Sequence, residues 1–295
     1  MNVNATPDGD REPTRRHFLQ AAGIGAATMA CAGRGWAAAP TAAAPAPACS
    51  RKPAKLTLGL ASYSLRNFDL DKTIAMTRRA GLGHICFKSM HLPLESTPEQ
   101  IAAAVEKTKA AGLVLYGCGV VTMRKPAEVQ QAFDYAKAAG MTTIVAMPLP
   151  EMLPLVNEKV QQYDIKIAIH NHGPGDKVWP TPQSAYEKIQ HLDKRVGLCM
   201  DIGHTVRAGI DPVETTAKCA DRLYEIHMKD VTAATAKGKT TQVGRGIIDV
   251  PNFLRALIKI HYAGVVAFEY EEEANDPLPG LAESVGYTKG VLAVV

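Results

Sequence analysis

The amino-acid sequence predicts an α/β protein folded as a (β/α)8 TIM barrel, and three observations support this prediction. From residue 56 onward, short apolar runs of strand length alternate with amphipathic segments of helix length. Eight such runs occur, which is the number of strands that closes a parallel barrel. No glycine-rich phosphate-binding loop follows the first run, and this argues against the alternative of a doubly wound open sheet.

Each predicted strand is an apolar run bounded by residues that favour turns. In chain order the predicted strands are LTLGLASYS (56–64), HICFKSM (84–90), VLYGCGVV (114–121), TTIVAMP (142–148), KIAIHNHG (166–173), GLCMDIGHT (197–205), LYEIHMKD (223–230) and GVVAFEYE (264–271). The helices predicted between them lie at 71–81, 97–112, 126–140, 184–192, 211–223 and 250–264. The first three of these helices end in a glycine suited to a C-cap, and Pro126 suits the first turn of the third.

The N-terminal residues 1–39 are predicted to form a twin-arginine signal peptide. Residues 14–19 (TRRHFL) contain an arginine pair, and a weakly apolar, Ala/Gly-rich stretch follows at 21–32. This stretch is too short to be a stable membrane anchor. Three alanines at 37–39 then offer a cleavage site, so the mature protein is predicted to be periplasmic or secreted.

The end of the signal peptide has an alternative interpretation. Lipid attachment at Cys31 would replace cleavage after Ala39, although Thr28 stands where a leucine is expected. Residues 40–54 are Ala/Pro-rich and are predicted to be a linker, so the barrel domain is predicted to cover residues 55–295. Twin-arginine export usually carries folded proteins, which favours a cofactor or metal loaded before export.

The composition is that of a globular protein, with 46% hydrophobic and 21% charged residues among 295. The net charge of +4 is modest and no basic block interleaves with aromatic residues, so a nucleic-acid partner is not expected. Cys86, Cys118 and Cys199 lie in predicted strands and Cys219 lies in a predicted helix. We therefore expect buried free thiols rather than a disulfide framework. The sequence leaves open whether the protein forms a homo-oligomer.

Strand periodicity predicts that four metal-competent side chains meet at one end of the barrel. Residues two apart share a face of a strand, so the apolar set on each strand packs against helices and the alternate set points inward. The inward residues near the carboxyl ends of the last four strands are His170, Asp201, His227 and Glu269. Barrel active sites lie at this end. Two imidazoles and two carboxylates suit one divalent ion of Mn, Zn, Fe, Co or Ni, whereas Mg and Ca prefer oxygen ligands.

Six motifs of the chain resemble the xylose isomerase-like TIM barrels of the sugar phosphate isomerase/epimerase family. They are FKSMHLPL (87–94), IHNH (169–172), MDIGH (200–204), IHMKD (226–230), VGRGIIDVPNF (243–253) and FEYEEE (268–273). The resemblance covers most of residues 56–295, and none of the motifs specifies a substrate. It implies a TIM barrel that uses a divalent metal ion and acts on a small-molecule sugar.

The resemblance implies that Asp201, His227 and Glu269 are metal ligands. It also places His170 where the epimerases of the family carry a glutamate as the fourth ligand, so His170 either ligates the ion or acts as a base. Glu269, His170 and His172 are the candidates for removing the proton next to a sugar carbonyl. The implied activity is that of a metal-dependent isomerase or epimerase acting through an enediolate on a ketose or related keto-sugar. The alternatives are a lyase or dehydratase for keto-glycosides or inososes at the same site, and a non-catalytic sugar-binding protein.

Five further residues are candidates for substrate binding. His204 follows Asp201 by three residues, where relatives contact substrate hydroxyls, and Arg245 lies in a glycine-flanked loop. The other candidates lie near strand ends and are Lys88, His91 and Lys229. Ordinary polarity of the barrel rim is the simpler interpretation of Lys229.

Overall fold

Eight parallel strands form a closed barrel in the structure, a computed structural model that describes residues 56–295. Along the chain, the barrel strands β1 to β7 are followed by a small antiparallel hairpin, β8 and β9, and by the last barrel strand, β10. Their bounds are β1 (Thr57–Ala61), β2 (His84–Phe87), β3 (Val114–Met123), β4 (Thr143–Pro148), β5 (Lys166–His170), β6 (Val196–Asp201), β7 (Leu223–Met228), β8 (Asp230–Val231), β9 (Thr240–Thr241) and β10 (Val265–Phe268). Strand β10 pairs with both β7 and β1 and so closes the ring, which confirms the predicted TIM barrel. The predicted signal peptide and linker lie outside the described residues.

Helices connect the barrel strands. Their bounds are α1 (Leu70–Arg79), α2 (Pro98–Ala110), α3 (Pro126–Ala138), α4 (Leu153–Tyr163), α5 (Pro182–Ile189), α6 (Ile202–Arg207), α7 (Pro212–Lys218), α8 (Val250–Lys259) and α9 (Leu278–Leu292). Several begin at a side-chain cap followed by proline, as at Thr97 before α2 and Thr181 before α5. The cap supplies an acceptor for a free N–H of the first turn, and proline needs none.

The pattern of the sequence did not predict α4, α6 or α9. Helix α4 has Pro154 in its first turn, where proline is tolerated but weakens a pattern-based assignment. Helix α6 has only two turns and follows β6 directly. The strand predicted at 197–205 therefore ends at Asp201, because the carboxylate of Asp201 caps the helix that starts at Ile202.

Most predicted strands extend too far at their carboxyl ends. Strand β2 ends at Phe87, β5 at His170 and β10 at Phe268, so each ladder stops before the polar residues that follow. The polar residues beyond these ends are therefore carried by the loops above the barrel, whereas His170, Asp201 and His227 lie in the last residues of their strands. This position frees their side chains to turn toward one another.

The core has two parts, one inside the barrel and one between the barrel and the helices. The inner cluster comprises Cys86, Tyr116, Val145, Ala168 and Cys199. The outer layer includes Ile167 and Ile169 of β5 and Leu198 and Met200 of β6, all of which are buried. The inward and outward sets predicted for β5 and β6 are thus present. The four described cysteines are all buried and free, as the sequence predicted.

Among residues 56–295, no helix is both long enough and apolar enough to cross a bilayer.

Candidate metal centre

Four buried side chains meet at the carboxyl ends of four adjacent barrel strands. They are His170, Asp201, His227 and Glu269, and none is more than 7% exposed. The register of the strands brings them together, because Asp201 of β6 lies beside His227 of β7, which lies beside Ala267 of β10. His170 ends β5 next to Cys199 of β6. The structure therefore brings together the set of residues that the sequence pattern selected.

The donor atoms of this cluster are spaced like the ligands of one metal ion. Nε2 of His170 lies 3.0 Å from Nδ1 of His227 and 3.6 Å from Oδ2 of Asp201, and His227 Nδ1 lies 3.3 Å from Oε2 of Glu269. An ion bound at about 2.0–2.2 Å separates neighbouring ligand atoms by roughly 3–3.5 Å. Oδ2 of Asp201 has no hydrogen-bond partner among the described residues. The residues fit a divalent ion with nitrogen and oxygen ligands.

Local structure at the start of α6 holds Asp201 in place. Its Oδ1 accepts a hydrogen bond from the backbone N–H of His204 at 2.7 Å. The Asn171 side chain accepts from the backbone N–H of Asp201 and donates to its carbonyl. One carboxylate oxygen is thus engaged by the helix while the other faces the cluster. Asn171 was not among the predicted site residues, although its place between two histidines is a signal that could have identified it.

A buried lysine lies against both carboxylates. Nζ of Lys229 is 2.9 Å from Oδ2 of Asp201, 2.9 Å from Oε2 of Glu269 and 2.7 Å from Oε1 of Glu271. Lys229 is only 3% exposed, so its side chain is not part of an exposed rim. The ammonium offsets part of the negative charge of the two acidic residues in the cluster.

The charge states in the cluster suit metal ligation at neutral pH. Burial opposes ionisation of Asp201 and Glu269, but the Lys229 ammonium and the neighbouring histidines together outweigh it and hold the pKa of both carboxyls well below their usual range. Burial lowers the pKa of His170 to about 3, so its ring is neutral. Burial also opposes protonation of His227, but Glu269 together with Glu225 and Asp201 outweighs it and raises the pKa of that ring. Ionised carboxylates and neutral imidazole are the forms that bind metal, and an ion would displace the proton from His227.

Two more histidines lie next to the cluster, on its solvent side. The ring of His172 has its centroid 4.4 Å from that of His170 and 5.7 Å from that of His204. The His172 side chain is 35% exposed, and its Nδ1 lies 3.6 Å from Oδ2 of Asp176. Burial, followed by the neighbouring His204, lowers the pKa of His172. A neutral, accessible imidazole beside the cluster is suited to accept a proton.

Glycine at position 173 allows this close approach. Its φ of +77° is unfavourable for other residues, and a Cβ would lie 2.9 Å from the carbonyl oxygen of His204. The loop after β5 therefore passes directly over the start of α6, which brings His172 beside His204.

A comparison with known families identifies the family of this chain. The sequence profile of the xylose isomerase-like TIM barrel family matches residues 90–290, which is more than half of the chain. The chain belongs to the xylose isomerase-like TIM barrel family. The match includes all four residues of the candidate metal centre.

Individual relatives are more distant. The rhizopine catabolism protein MocC of Rhizobium meliloti is 27% identical over 145 residues, which cover 44% of each chain. An inosose dehydratase of Geobacillus kaustophilus is 28% identical over 145 residues, covering 44% of this chain and 45% of the relative. The matches thus span less than half the length of these curated relatives. A solved D-tagatose 3-epimerase-like protein superposes with a TM-score of 0.67 at 18% identity, covering 81% of this chain and 98% of that chain, and it shows the shared fold.

Two of the residues predicted to bind substrate, Lys88 and His91, lie after β2 and not on the strands that carry the cluster. Nζ of Lys88 donates to the carbonyl of Val120 at 3.0 Å, and burial lowers the pKa of this lysine. Lys88 lines a cavity of 230 Å³ between the ends of β2 and β3. His91 is 5% exposed and its ring bonds to Ser62 and to the Leu65 carbonyl. Lys88 is therefore placed next to open space, whereas His91 is engaged in packing the loop after β1.

The structure does not bring Arg245 to the cluster. Its exposed guanidinium forms two hydrogen bonds with Glu283 of α9. The loop that carries it is organised instead by Asp230, which is fully buried. Sequence analysis selected the arginine of the loop and assigned no role to the aspartate on which the loop folds.

One layer below the cluster, a second acidic residue lies inside the barrel. Glu225 is 1% exposed, and the hydroxyl of Tyr116 donates to its carboxyl group. Burial raises the pKa of Glu225 to about 8. Its carboxyl is thus mostly protonated at neutral pH, in contrast to the ionised carboxylates of Asp201 and Glu269.

Proposed function

We propose that this protein is a metal-dependent enzyme that removes the proton next to the carbonyl group of a ketose or related keto-sugar. The observation that carries the proposal is a buried cluster of His170, Asp201, His227 and Glu269 next to the accessible imidazole of His172. A site of this kind combines a place for a cation with a separate proton acceptor. Membership of the family supports the same conclusion.

The cluster residues would hold one divalent ion of Mn, Zn, Fe, Co or Ni. Such an ion would supply stabilisation of negative charge on the carbonyl oxygen of the substrate. Asp201 and Glu269 would contribute the carboxylate ligands, and their low pKa values keep them ionised. His170 and His227 would contribute nitrogen ligands of intermediate softness.

His172 is the residue that we assign as the base. It is more exposed than the cluster residues, so a bound sugar could reach its ring, and its lowered pKa leaves it neutral at pH 7. His204 lies beside it and would orient the substrate hydroxyls. Glu269 is less suited to this role, because Lys229 holds its pKa well below the usual range and so weakens it as a base.

Two reaction outcomes can follow removal of the proton. Return of a proton to carbon gives isomerisation or epimerisation, which is the activity that the sequence resemblance implies. Loss of a neighbouring oxygen substituent gives dehydration or another elimination. His170 favours the second outcome, since epimerases of the family use a glutamate there. The likeness to an inosose dehydratase also supports it.

Solvent exchange tests the shared first step. Ketoses, 3-keto-glycosides and inososes would be incubated in D2O with the metal-loaded protein, and NMR would follow deuterium entering next to the carbonyl. Epimers or isomers would indicate the first outcome, and an unsaturated dehydrated product would indicate the second. Absence of exchange with every compound, in protein shown to hold the ion, would contradict the proposal.

Variants separate ion binding from proton transfer. Asp201→Ala and Glu269→Ala are expected to lose the ion, as measured by elemental analysis, together with exchange. His172→Gln is expected to keep the ion and to slow exchange by about 100-fold or more, because it lacks the base. Asp71→Ala, which removes a carboxylate from a surface ion pair with Lys107, is the control. Full exchange in His172→Gln would show that another residue is the base.

A further inference from the structure

Lys229 is held in the cluster by its surroundings. The Lys229 side chain passes over the start of α6 at Gly203, where a Cβ would lie 2.9 Å from Lys229 Cγ and 3.0 Å from Cδ. A residue larger than glycine at 203 would therefore push the lysine out of its place. The ammonium is fully buried and donates to Glu269 at 2.9 Å and to Glu271 at 2.7 Å. The lysine thus occupies a site that the fold provides for it.

The ammonium and a metal ion would use the same two oxygens. Oδ2 of Asp201 and Oε2 of Glu269 are the carboxylate donors of the candidate metal centre, and Lys229 Nζ is 2.9 Å from both. Lys229 and Asp201 form an ion pair without a hydrogen bond, since Oδ2 of Asp201 has no hydrogen-bond partner among the described residues. Two cations a few ångströms apart at a buried site repel each other strongly, because charge is poorly screened there.

We propose that Lys229 is an internal cation that competes with the metal ion for Asp201 and Glu269. This inference rests on the proposed metal centre. In the metal-free protein the ammonium offsets part of the negative charge of the two buried carboxylates. When an ion binds, Lys229 gives up Asp201 and Glu269 and keeps its contact with Glu271, which is 31% exposed and lies on the solvent side. Lys229 and Glu271 together set the affinity of the site.

The opposite role for Lys229 makes the opposite prediction. If the ammonium instead supports the ligands by holding them together, removing it would weaken metal binding. If it competes, removing it strengthens binding, since the carboxylates then have no other cation. The sign of the change in affinity distinguishes the two roles.

Metal titrations of the full-length protein, stripped of metal by chelation, test the proposal. Affinities for Co²⁺ and Mn²⁺ would be measured by competition with a chromophoric chelator in the wild type and in Lys229→Met, which keeps the apolar part of the side chain. Lys229→Met is expected to bind each ion on the order of tenfold more tightly or better. Lys107→Met removes the same charge at the surface and is expected to leave the affinity unchanged.

Thermal unfolding gives a second readout. Without metal, Lys229→Met is expected to melt below the wild type, because two buried carboxylates lose their cation. Saturating Co²⁺ should raise its melting temperature by more than it raises that of the wild type.

Glu271→Gln is an independent variant that keeps the lysine. It is expected to weaken metal binding, because Lys229 loses its alternative partner and stays on the metal ligands. The same change made in Lys229→Met should have a much smaller effect, since it acts through the lysine. An equal effect in both backgrounds would overturn the assigned role of Glu271 as the partner of the displaced ammonium.

Unchanged or weaker binding in Lys229→Met would overturn the proposal. Binding of an ion by the wild type without any exchange of substrate protons would overturn the proposed function and leave this inference standing. Binding in Lys229→Met alone would support the competition, and absence of binding in both proteins would overturn both proposals.

Discussion

At the scale of single residues, His170 is where this chain departs from the epimerases that its sequence resembles. A histidine in place of a glutamate leaves Asp201 and Glu269 as the two carboxylates of the cluster. Lys229 then balances much of that charge, with a nitrogen 2.9 Å from each carboxylate. A single substitution at a strand end thus changes both the ligand chemistry and the charge of a buried site.

Glu225 gives a prediction about pH at the same scale. Burial raises its pKa to about 8 in the folded protein, whereas the unfolded chain has a value near the ordinary one, about 4.3. Between these values the folded state binds more protons, so the free energy of unfolding falls as the pH rises from about 4.5 to 8. Glu225→Gln should remove this loss, so the metal-free variant should exceed the wild type by a few kcal/mol at pH 8 and match it near pH 5.

Denaturant unfolding at pH 5 and pH 8 measures the effect. Glu106→Gln, a change of the same chemistry on the exposed face of α2, should follow the wild type at both pH values. If Glu225→Gln is destabilised at pH 8, the carboxylate of Glu225 is ionised and satisfied in the fold, and the assigned protonation state is wrong.

At the scale of elements, Asp230 organises the loop after β8 and β9. Its Oδ1 accepts hydrogen bonds from the backbone N–H groups of Val231 and Ile248, and its Oδ2 accepts from those of Gly244 and Gly246. Glycine is required at 246, because a Cβ there would lie 2.1 Å from Oδ1. The loop is therefore folded around a carboxylate that is next to Lys229 in the chain but makes no contribution to the cluster.

Asp230→Asn tests this arrangement. An amide has one acceptor oxygen, so one pair of backbone N–H groups would face the amide NH2 group and lose its acceptor. We expect a loss of about 2–4 kcal/mol in the free energy of unfolding and faster proteolysis at Arg245. Denaturant unfolding and limited trypsin digestion would measure the two effects.

Asp249→Asn is the matched control in the same loop. Asp249 caps α8 by accepting from the backbone N–H of Asn252, and asparagine caps helices about as well as aspartate. The control should therefore lose little stability. If both variants lose the same amount, the loop is sensitive to any change and Asp230 has no special role.

At the scale of the whole molecule, the closed barrel turns four distant segments into neighbours. His170 and Glu269 are 99 positions apart in the chain, yet both face one point because β5, β6, β7 and β10 are consecutive in the ring. A parallel barrel places all carboxyl strand ends on the same side. The strand ends and loops at that side therefore carry the candidate site, while the opposite end is stabilised by Arg222, which donates to four backbone carbonyls.

The predicted export of the protein needs its own experiment, because the structure does not describe the predicted signal peptide at residues 1–39. Replacing both Arg15 and Arg16 by lysine should abolish export through the twin-arginine route, because lysine does not replace the arginine pair of the signal. Immunoblots of periplasmic and cytoplasmic fractions would measure this. The exported wild type should begin at Pro40, and mass spectrometry would instead find a lipid on Cys31 if the alternative holds.

The sequence by itself determined the barrel, the strand order and the four residues of the cluster. Alternation of side chains along a strand depends on local stereochemistry, so it can be seen in the sequence. In a parallel barrel all carboxyl strand ends lie on one side, so inward residues near those ends come together. It did not determine where strands end. Asp201 ends β6 and caps α6 because of two contacts. One is with Asn171, which lies 30 residues earlier in the chain, and the other is with the backbone of His204 in α6.

The tertiary structure alone decided which of the basic residues near the rim reaches the cluster. Lys229 and Arg245 look alike in the sequence, as basic residues near the barrel rim. Lys229 is buried against carboxylates of β6 and β10 because Gly203 leaves room for its side chain, whereas Arg245 turns outward to Glu283. The sequence shows the chemistry of each side chain, but its direction depends on packing between segments that meet only when the barrel closes.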